Sequence, residues 1–375
     1  MAPPLPYQWL RTSDEGFASM LLAIEGARRT IRLEFYIVTD GELARRFRDA
    51  LVAATMRGVK VRVLIDAVGS LGLSSDFWAE LVMAGGQFRW FNPLSLHRVS
   101  LRDHRKVLVC DEEIGFVGGF NIAAEYEGDG VTRGWFDLGM RFECRLAAEL
   151  ARAFDDMFEN ANMEHSLLER MRKTPQLRAI NTPDGRLLLS GPGRGQNGFK
   201  PALYADLKRA RNVQIISAYF LPTWRIRRDL VRIAQNGGSV QLMLAGLSDV
   251  ALAQNATRSI YHQLLRAGVG IYEYQPQILH AKLILVDRIV YVGSANLDTR
   301  SFKINYELLV RIPDGHTAEG GRALFQERLQ QCRRITLQEW RASQTLWLRL
   351  KQKIAYYLLA RLDYYLAKRQ LRAMK

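Results

Sequence analysis

Apolar positions along the chain fall into two kinds of run. From Phe17 to Ala27 they recur at helical spacing, and the same holds for Gly41 to Arg57 and for Ser75 to Ala84. Between these lie short stretches rich in β-branched and aromatic residues, Thr30 to Val38, Val59 to Asp66 and Gln87 to Phe91, which read as strands. Such an alternation predicts an α/β layer on a mixed, largely parallel sheet. The second half repeats the order. Val213 to Phe220 stands where LEFYI stood, Ser239 to Ala245 where VKVRVLI stood, and Leu264 to Gly268 followed by IYEYQP echoes Leu81 to Gly85 followed by FRWFNP. Each series then enters a matching segment, His104-Arg-Lys-Val-Leu-Val-Cys-Asp111 or His280-Ala-Lys-Leu-Ile-Leu-Val-Asp287, at an offset of 176 residues from His104 to His280. That is one duplicated domain rather than a short repeat array. The predicted organisation is a first α/β domain over 1–160, a linker and loop over 161–200, a second α/β domain over 201–335 related to the first by a pseudo-twofold, and a basic aromatic helix over 336–375.

In a strand, residues i and i+2 share a face, so His104 stands beside Lys106 and His280 beside Lys282. Asp111 and Asp287 then open hairpin turns. The return strands, Ile114 to Val117 and Ile289 to Val292, run into small residues that allow close approach of a ligand, Gly118-Gly119-Phe120-Asn121 and Gly293-Ser294-Ala295-Asn296. Each half therefore offers an imidazole, an ammonium and a carboxamide at one end of one hairpin. Further on, Gly134-Trp135-Phe136-Asp137 aligns with Ile304-Asn305-Tyr306-Glu307, so each half carries a carboxylate about 30 residues beyond its His. A carboxylate there is placed to hold the far ring nitrogen of the His and fix its tautomer.

Brought together across a pseudo-twofold interface, two His, two Lys and two Asn suit a phosphodiester. The ammonium and amide groups bind nonbridging oxygens, with Ser294 as a further phosphate donor and Gly119 in the same place in the first copy. One imidazole attacks phosphorus and the other protonates the departing alkoxide, giving a phosphohistidine that a second alcohol or water opens. No cofactor is called for, and the Lys two residues beyond each His would repel a divalent ion. A single His-x-Lys is an ordinary polar strand end; its return at the matching place in a duplicated unit is not. For Asp111 and Asp287, a turn carboxylate bonding loop amides stands as an equal alternative to direct chemistry. Glu34 and Tyr219 occupy matching strand ends, either lining the mouth of the site or packing. His97, His165, His262 and His316 lack a Lys partner and read as surface or packing residues. The glycines of 190–198 have no strand-turn-helix around them and read as loop.

Composition adds the class of partner. Fifty-three Lys and Arg against 38 Asp and Glu give a net charge of +15, which predicts anionic partners, nucleic acid and anionic lipid alike. Cys110, Cys144 and Cys332 are too few and too scattered for a disulfide framework or a metal site. The first residues lack the features of a signal peptide, and no uninterrupted run of about 18 apolar residues is present to span a bilayer.

These motifs resemble the phospholipase D superfamily, whose signature, HxKxxxxD with a GSxN- or GGxN-like element, occurs twice in one chain. The resemblance covers about residues 20 to 312. Within it, GSANLDTRSFKINYE at 293–307, YEYQP at 272–276 and AYFLP at 218–222 are similar to bacterial cardiolipin synthases. The resemblance implies two phospholipase D-like domains and transfer of a phosphatidyl group onto phosphatidylglycerol or another alcohol. It also implies an active-site set of His104, Lys106, Asp111, His280, Lys282 and Asp287, with His104 as nucleophile and His280 as acid. Many cardiolipin synthases begin with two membrane-spanning helices, and the resemblance here is to a shorter form without them. The rival in the same superfamily is a metal-independent nuclease or a phospholipase D hydrolase.

The segment from Leu337 to Lys375 carries nine Lys or Arg against Glu339 and Asp363. On a helix, Trp347, Leu350, Ile354, Tyr357 and Leu358 share a face flanked by Lys351 and Lys353, which suits a helix lying in an anionic headgroup layer. A helix packed on the body, or a dimer contact, is the alternative. The expected setting is peripheral, on the cytoplasmic face of a bacterial inner membrane, with anionic phospholipid as partner rather than nucleic acid.

Overall fold

The computed structural model describes residues 6–93, 101–161, 179–192 and 197–362. In the first half, strands β1 (Tyr7–Leu10), β2 (Thr30–Phe35), β3 (Lys60–Asp66), β4 (Gln87–Phe91), β5 (Lys106–Cys110), β6 (Ile114–Gly118) and β7 (Gly139–Phe142) form one sheet in the order β1-β7-β6-β5-β2-β3-β4. In the second, β8 (Ala179–Asn181), β9 (Arg186–Ser190), β10 (Asn212–Ser217), β11 (Ser239–Ala245), β12 (Gly270–Tyr274), β13 (Lys282–Val286), β14 (Ile289–Gly293), β15 (Glu307–Ile312) and β16 (Cys332–Ile335) run in the order β16-β12-β11-β10-β13-β14-β15-β9-β8. All seven strands of the first sheet have counterparts in the same order in the second, β9-β15-β14-β13-β10-β11-β12. The segment expected as linker and loop contains β8 and β9, which extend the second sheet beyond β15.

The sheets are mixed, but the expectation of largely parallel sheets is corrected. Among the described residues only β2–β3–β4 and β10–β11–β12 pair in parallel, and the remaining ladders are antiparallel. Parallel pairing needs a long crossover. Helical crossovers return the chain to a neighbouring strand only along β2–β3–β4 and β10–β11–β12; the strands of each hairpin are joined by short turns.

Three packed layers follow from side-chain alternation. Ile31, Leu33 and Phe35 of β2 are buried under the helices Ser13–Gly26 and Glu42–Met56. Ile215, Leu242 and Ile271 do the same under the outer helices of the second half. The middle core joins the halves: Val107, Val109, Val117 and Met140 of the first sheet share one cluster with Leu283, Leu285, Val292 and Val310 of the second, closed by the helices Arg145–Glu159 and Gly315–Leu329. Each fully buried aliphatic or aromatic side chain is worth about 1.5–3 kcal/mol. A shared core of that size fixes the two hairpins relative to each other, which is what a site assembled from both halves needs. No described helix is long and apolar enough to cross a membrane.

Pairing register also corrects one equivalence. Glu34 lies opposite Val107 and its structural counterpart, opposite Leu283, is Ile216. Tyr219 therefore does not match Glu34.

Candidate active site

Strand β5 starts at Lys106 and β13 at Lys282, each two residues after its His. The approach to each strand is pinned across the interface by backbone. His104 N–H donates to the Tyr306 carbonyl (3.0 Å) and Tyr306 N–H to that of Arg102 (2.9 Å). In the mirror position His280 N–H donates to the Phe136 carbonyl (2.8 Å) and Phe136 N–H to that of Ile278 (2.9 Å). Tyr306 and Phe136 each precede the aligned carboxylate. Bridging the residue before the carboxylate to the residue before the histidine sets the next pair side by side.

The consequence is an exchange. Nδ1 of His104 lies 3.1 Å from Oε2 of Glu307, and Nδ1 of His280 lies 2.6 Å from Oδ2 of Asp137. The orienting carboxylates are those read from the alignment, but each serves the histidine of the other half, not its own. With Nδ1 committed to a carboxylate, Nε2 is the nitrogen left for chemistry.

The two arms differ in their supports. Glu307 also accepts hydrogen bonds from the Ser294 hydroxyl (2.5 Å), the Ser301 hydroxyl (2.8 Å) and the Asn305 amide (3.2 Å). Asp137 accepts from the Leu138 N–H at 2.8 Å. Gly119 makes room for it: a Cβ there would stand 2.3 Å from Oδ1 of Asp137. Ser294 and Gly119, expected at the phosphate, thus both act on an orienting carboxylate. Asn121 accepts from the Ile37 N–H (3.2 Å) and donates to the Tyr126 hydroxyl (2.8 Å), while Asn296 accepts from the Tyr219 N–H (3.4 Å). Both carboxamides tie the loop after the first strand of their unit to the rim.

Sequence reasoning missed the aromatic walls. Tyr36 packs on His104 with ring centres 4.9 Å apart and lies 4.9 Å from the Lys106 ammonium. Tyr126 and Trp135 surround His280, and the Tyr126 hydroxyl is 3.4 Å from its Nε2. Trp135 lay inside an aligned motif; Tyr36 and Tyr126 carried no spacing signal.

Burial governs the electrostatics. It lowers both His104 and His280 to about 4, with the neighbouring carboxylates pulling the other way and the lysines adding to the fall. Burial, reinforced by Lys282, brings Lys106 down to about 7; burial alone outweighs the carboxylates at Lys282 and leaves it at about 8. Burial pushes Glu307 up, but His104, Lys106 and the Ser294 hydroxyl outweigh it and hold the carboxyl below its ordinary range. Lys106 Nζ donates to the His104 carbonyl (2.8 Å); Lys282 Nζ donates to the His280 carbonyl and lies 2.8 Å from His280 Nδ1. Two lysines that feel each other and lack full hydration are poised to gain an anion.

Asp111 and Asp287 are not brought to this place. Each sits at the far end of its hairpin, about 17 Å along a five-residue strand from its Lys. Asp111 accepts from the N–H groups of Arg28 (2.9 Å), Arg29 (2.7 Å) and Thr30 (2.9 Å). Asp287 accepts from those of Arg211 (3.2 Å) and Asn212 (2.8 Å). Both have left-handed backbone, φ 57° and 50°, which a short polar side chain tolerates. They are turn carboxylates, the alternative weighed for them above. His262 and His316 are exposed as expected; His97 and His165 lie outside the described residues. Among the described residues no three His, Cys, Asp or Glu side chains converge as ligands for a metal ion.

A duplicated mixed α/β unit with a His-Lys pair from each copy at one shared site defines a phospholipase D-like class. The family described as "Cardiolipin synthase, PLD-like domain" matches residues 20–132 and 203–329. The chain is 33% identical over 350 residues to the major cardiolipin synthase ClsA of Bacillus subtilis (strain 168), covering 91% of this chain and 72% of that protein. It is 33% identical over 306 residues to the cardiolipin synthase of Geobacillus kaustophilus (strain HTA426), covering 80% of this chain and 61% of that protein. The fold is similar to that of phosphatidylserine synthase from Haemophilus influenzae Rd KW20, with a TM-score of 0.71 at 15% identity over 98% of this chain and 95% of that one. The protein belongs to the phospholipase D-like cardiolipin synthase family.

Proposed function

We propose that the protein is a phosphatidyltransferase of the cardiolipin synthase type, working through a phosphohistidine. The observation that carries this reading is the exchange of carboxylates, which builds one site from two histidines, each held through Nδ1 by a carboxylate of the other half. Nε2 of neutral His104 attacks the phosphorus of phosphatidylglycerol while Lys106 and Lys282 hold its nonbridging oxygens. The bond from phosphorus to the glycerol oxygen breaks, and His280, protonated as the anionic substrate enters, gives its proton to the leaving alkoxide. Glycerol departs and a phosphatidyl group remains on His104. The hydroxyl of a second phosphatidylglycerol then loses its proton to His280 and attacks phosphorus, the P–N bond breaks, and cardiolipin leaves with both rings restored.

Heavier hydrogen bonding of Glu307 favours this division of roles. Its charge is spread over three further donors, whereas the shorter contact from Asp137 supports an imidazolium at His280. The setting is the surface of a membrane containing anionic phospholipid, on the cytoplasmic face of the bacterial inner membrane. Purified protein incubated with phosphatidylglycerol vesicles and no added metal is expected to yield cardiolipin and glycerol by mass spectrometry, and His104→Ala to yield neither. Phosphatidic acid without cardiolipin would identify a hydrolase. Cleavage of plasmid DNA with inert lipid would identify a nuclease. Either result overturns the proposal.

A further inference from the structure

Between the motif carboxamide and the orienting carboxylate the two copies differ in length. Asn121 and Asp137 are 16 positions apart, Asn296 and Glu307 only 11, so the first copy is five residues longer here. The longer segment carries Tyr126 and Trp135, and both rings pack on His280 of the other copy, with centres 5.2 Å and 5.7 Å from the imidazole. Counting from the carboxamide, Ser301 stands where Tyr126 stands, and its hydroxyl goes to Oε1 of Glu307 (2.8 Å) rather than to a histidine. At His104 the neighbouring ring is Tyr36, and among the described residues no hydroxyl meets Nε2. Of the two histidines, His280 has a phenol at that nitrogen, 3.4 Å away.

The hydrogen bonds around Tyr126 have a fixed direction. Oδ1 of Asn121 accepts from the Ile37 N–H (3.2 Å), so the amide nitrogen is the group 2.8 Å from the phenol, and it donates. A phenol has one hydrogen and two lone pairs. With one lone pair taken by Asn121, the hydrogen and the other lone pair remain for Nε2 and one further group. At Nδ1 the nearer group is Oδ2 of Asp137 (2.6 Å), a carboxylate that accepts, while Lys282 Nζ, 2.8 Å from Nδ1, gives its hydrogen to the His280 carbonyl. Lys106 lies across the site. The hydrogen of neutral His280 therefore sits on Nδ1, and Nε2 accepts from Tyr126. When His280 is protonated the bond reverses: Nε2–H donates to the phenol, whose own hydrogen is released for another acceptor. Burial and the charge of Asp137 push the phenol well above its ordinary value, so it holds one hydrogen in both states. Its position is fixed as well. Asn121 and the Trp135 ring (5.0 Å) flank it, and the segment is anchored by Gly128 N–H to Asp14 (2.8 Å), Trp135 N–H to the Glu125 carbonyl (2.8 Å) and the Tyr274 hydroxyl to the Gly130 carbonyl.

We propose that Tyr126 is a catalytic residue that carries the proton between His280 and the glycerol oxygens of the two substrates, and that its place on Nε2 reserves His280 for acid–base work and leaves phosphorus to His104. The inference deepens the transferase reading and rests on it. As the bond from phosphorus to the leaving glycerol oxygen breaks, the Tyr126 hydroxyl gives its hydrogen to that oxygen, and Nε2 of protonated His280 gives its hydrogen to the phenol. Tyr126 ends as it began and His280 is neutral. In the second half the incoming hydroxyl passes its hydrogen to the phenol and the phenol passes its own to Nε2, while the oxygen bonds to phosphorus and the P–N bond to His104 breaks. The 3.4 Å separation is long for a hydrogen bond, as catalytic contacts without substrate often are. Tyr126 is as deeply buried as Lys106 and Lys282, so its burial is that of the whole site.

Changing the leaving group separates proton delivery from the rest of the reaction. Single-turnover release is measured, with protein in excess, from dihexanoyl phosphatidylglycerol and from dihexanoyl phosphatidyl-p-nitrophenol, whose phenolate departs without a proton. Tyr126→Phe is expected to slow glycerol release about 10²-fold, the lower end of what general acid catalysis contributes, and p-nitrophenolate release by less than about threefold. Equal losses on both substrates, which a merely structural tyrosine would give, or undiminished glycerol release would overturn the proposal. Because the phenol also supports Asn121, a second measurement uses the unaltered protein in mixtures of light and heavy water. Two hydrogens moving together give a curved dependence of the glycerol rate on the deuterium fraction; a straight line means that a single hydrogen moves, and would overturn the relay. Release of p-nitrophenolate from the intact protein, abolished in His104→Ala, reports on the transferase reading alone. Inertness of the intact protein toward both lipids would overturn that reading and the relay with it.

Discussion

Nδ1 of His280 lies 2.6 Å from Oδ2 of Asp137, a carboxylate 143 residues earlier in the other copy of the duplicated unit. His104 and Glu307 make the reciprocal contact over 203 residues. Neither of these two histidine-carboxylate pairs lies within one copy, so each histidine depends on the other copy for its partner even though each copy has its own sheet and outer core. Asp137→Asn is expected to lower turnover about 10²–10⁴-fold by freeing the His280 tautomer. A double-mutant cycle distinguishes the exchange from pairing within one copy: Asp137→Asn should add little to His280→Ala. Strong coupling of Asp137 to His104 instead, in rates of cardiolipin formation, would contradict it.

Asp111 and Asp287 are expected to matter to stability rather than to chemistry. Removing the Asp111 carboxylate leaves the N–H groups of residues 28–30 without their acceptor, at a cost of about 1–3 kcal/mol. Asp111→Ala should therefore shift the denaturant midpoint while the folded fraction keeps its turnover number. Asp111→Asn, which keeps one acceptor oxygen and tolerates the left-handed backbone, should shift it less. A fall in turnover beyond tenfold at an unchanged midpoint would return the carboxylate to the reaction.

How far these residues were legible in the sequence depends on what fixed them. His104, Lys106, His280 and Lys282 were readable because strand periodicity places i and i+2 together whatever the rest of the fold does. Asp137 and Glu307 were readable as an aligned pair, but their exchange was not, since it is set by the bridges from Phe136 and Tyr306 to the opposite unit. The family resemblance put Asp111 and Asp287 in the active-site set, while the reading of the residues left a turn carboxylate as an equal alternative. A strand separates its two ends by its whole length, and that length carried them away from the site.

The lysines set the proton balance of binding. Free Lys106 titrates at about 7 and Lys282 at about 8, so at pH 8 Lys106 is mostly neutral and Lys282 half charged. A bound phosphodiester favours the ammonium forms and raises both, so binding takes up protons at pH 8, and affinity weakens as pH rises through the free-enzyme values. Calorimetry of dihexanoyl phosphatidylglycerol with His104→Ala, in buffers of differing ionisation heat, is expected to report that uptake, and Lys106→Met to remove part of it. Binding without proton uptake at pH 8 would mean that the lysines keep the same protonation in the free and bound protein, contrary to the expected rise.

The C-terminal helix Leu346–Tyr357 is docked on the body by one face and turns apolar and basic residues outward on the other. Gln352 and Ala355 are buried, the latter in a small cluster with Leu221 and Ala256 of the second domain, so the helix is docked on the body. Trp347, at 74% exposure, stands with Leu350, Ile354 and Tyr357 on the outer face, while Leu358 is half-buried; Arg349, Lys351 and Lys353 are exposed beside them. Leu247, Val250 and Leu252 are exposed on the loop and helix after β11. Asp249 in that loop accepts a hydrogen bond from Tyr219, whose backbone N–H is held by Asn296 at the site. The C-terminal helix packs on the helix Ala251–Arg258 that follows this loop, so the exposed apolar residues of both lie on one side of the second domain. Because none of the four outer residues belongs to a core cluster, W347S/L350S/I354S/Y357S should leave the thermal midpoint nearly unchanged. The same variant should lose at least about tenfold in affinity for phosphatidylglycerol vesicles, since about 1.4 kcal/mol is less than one fully buried aliphatic side chain contributes. Sedimentation with vesicles of 30 mol% phosphatidylglycerol, as an order-of-magnitude choice of about one anionic lipid in three, gives the comparison. Undiminished sedimentation of a folded quadruple variant would assign lipid attachment to another surface.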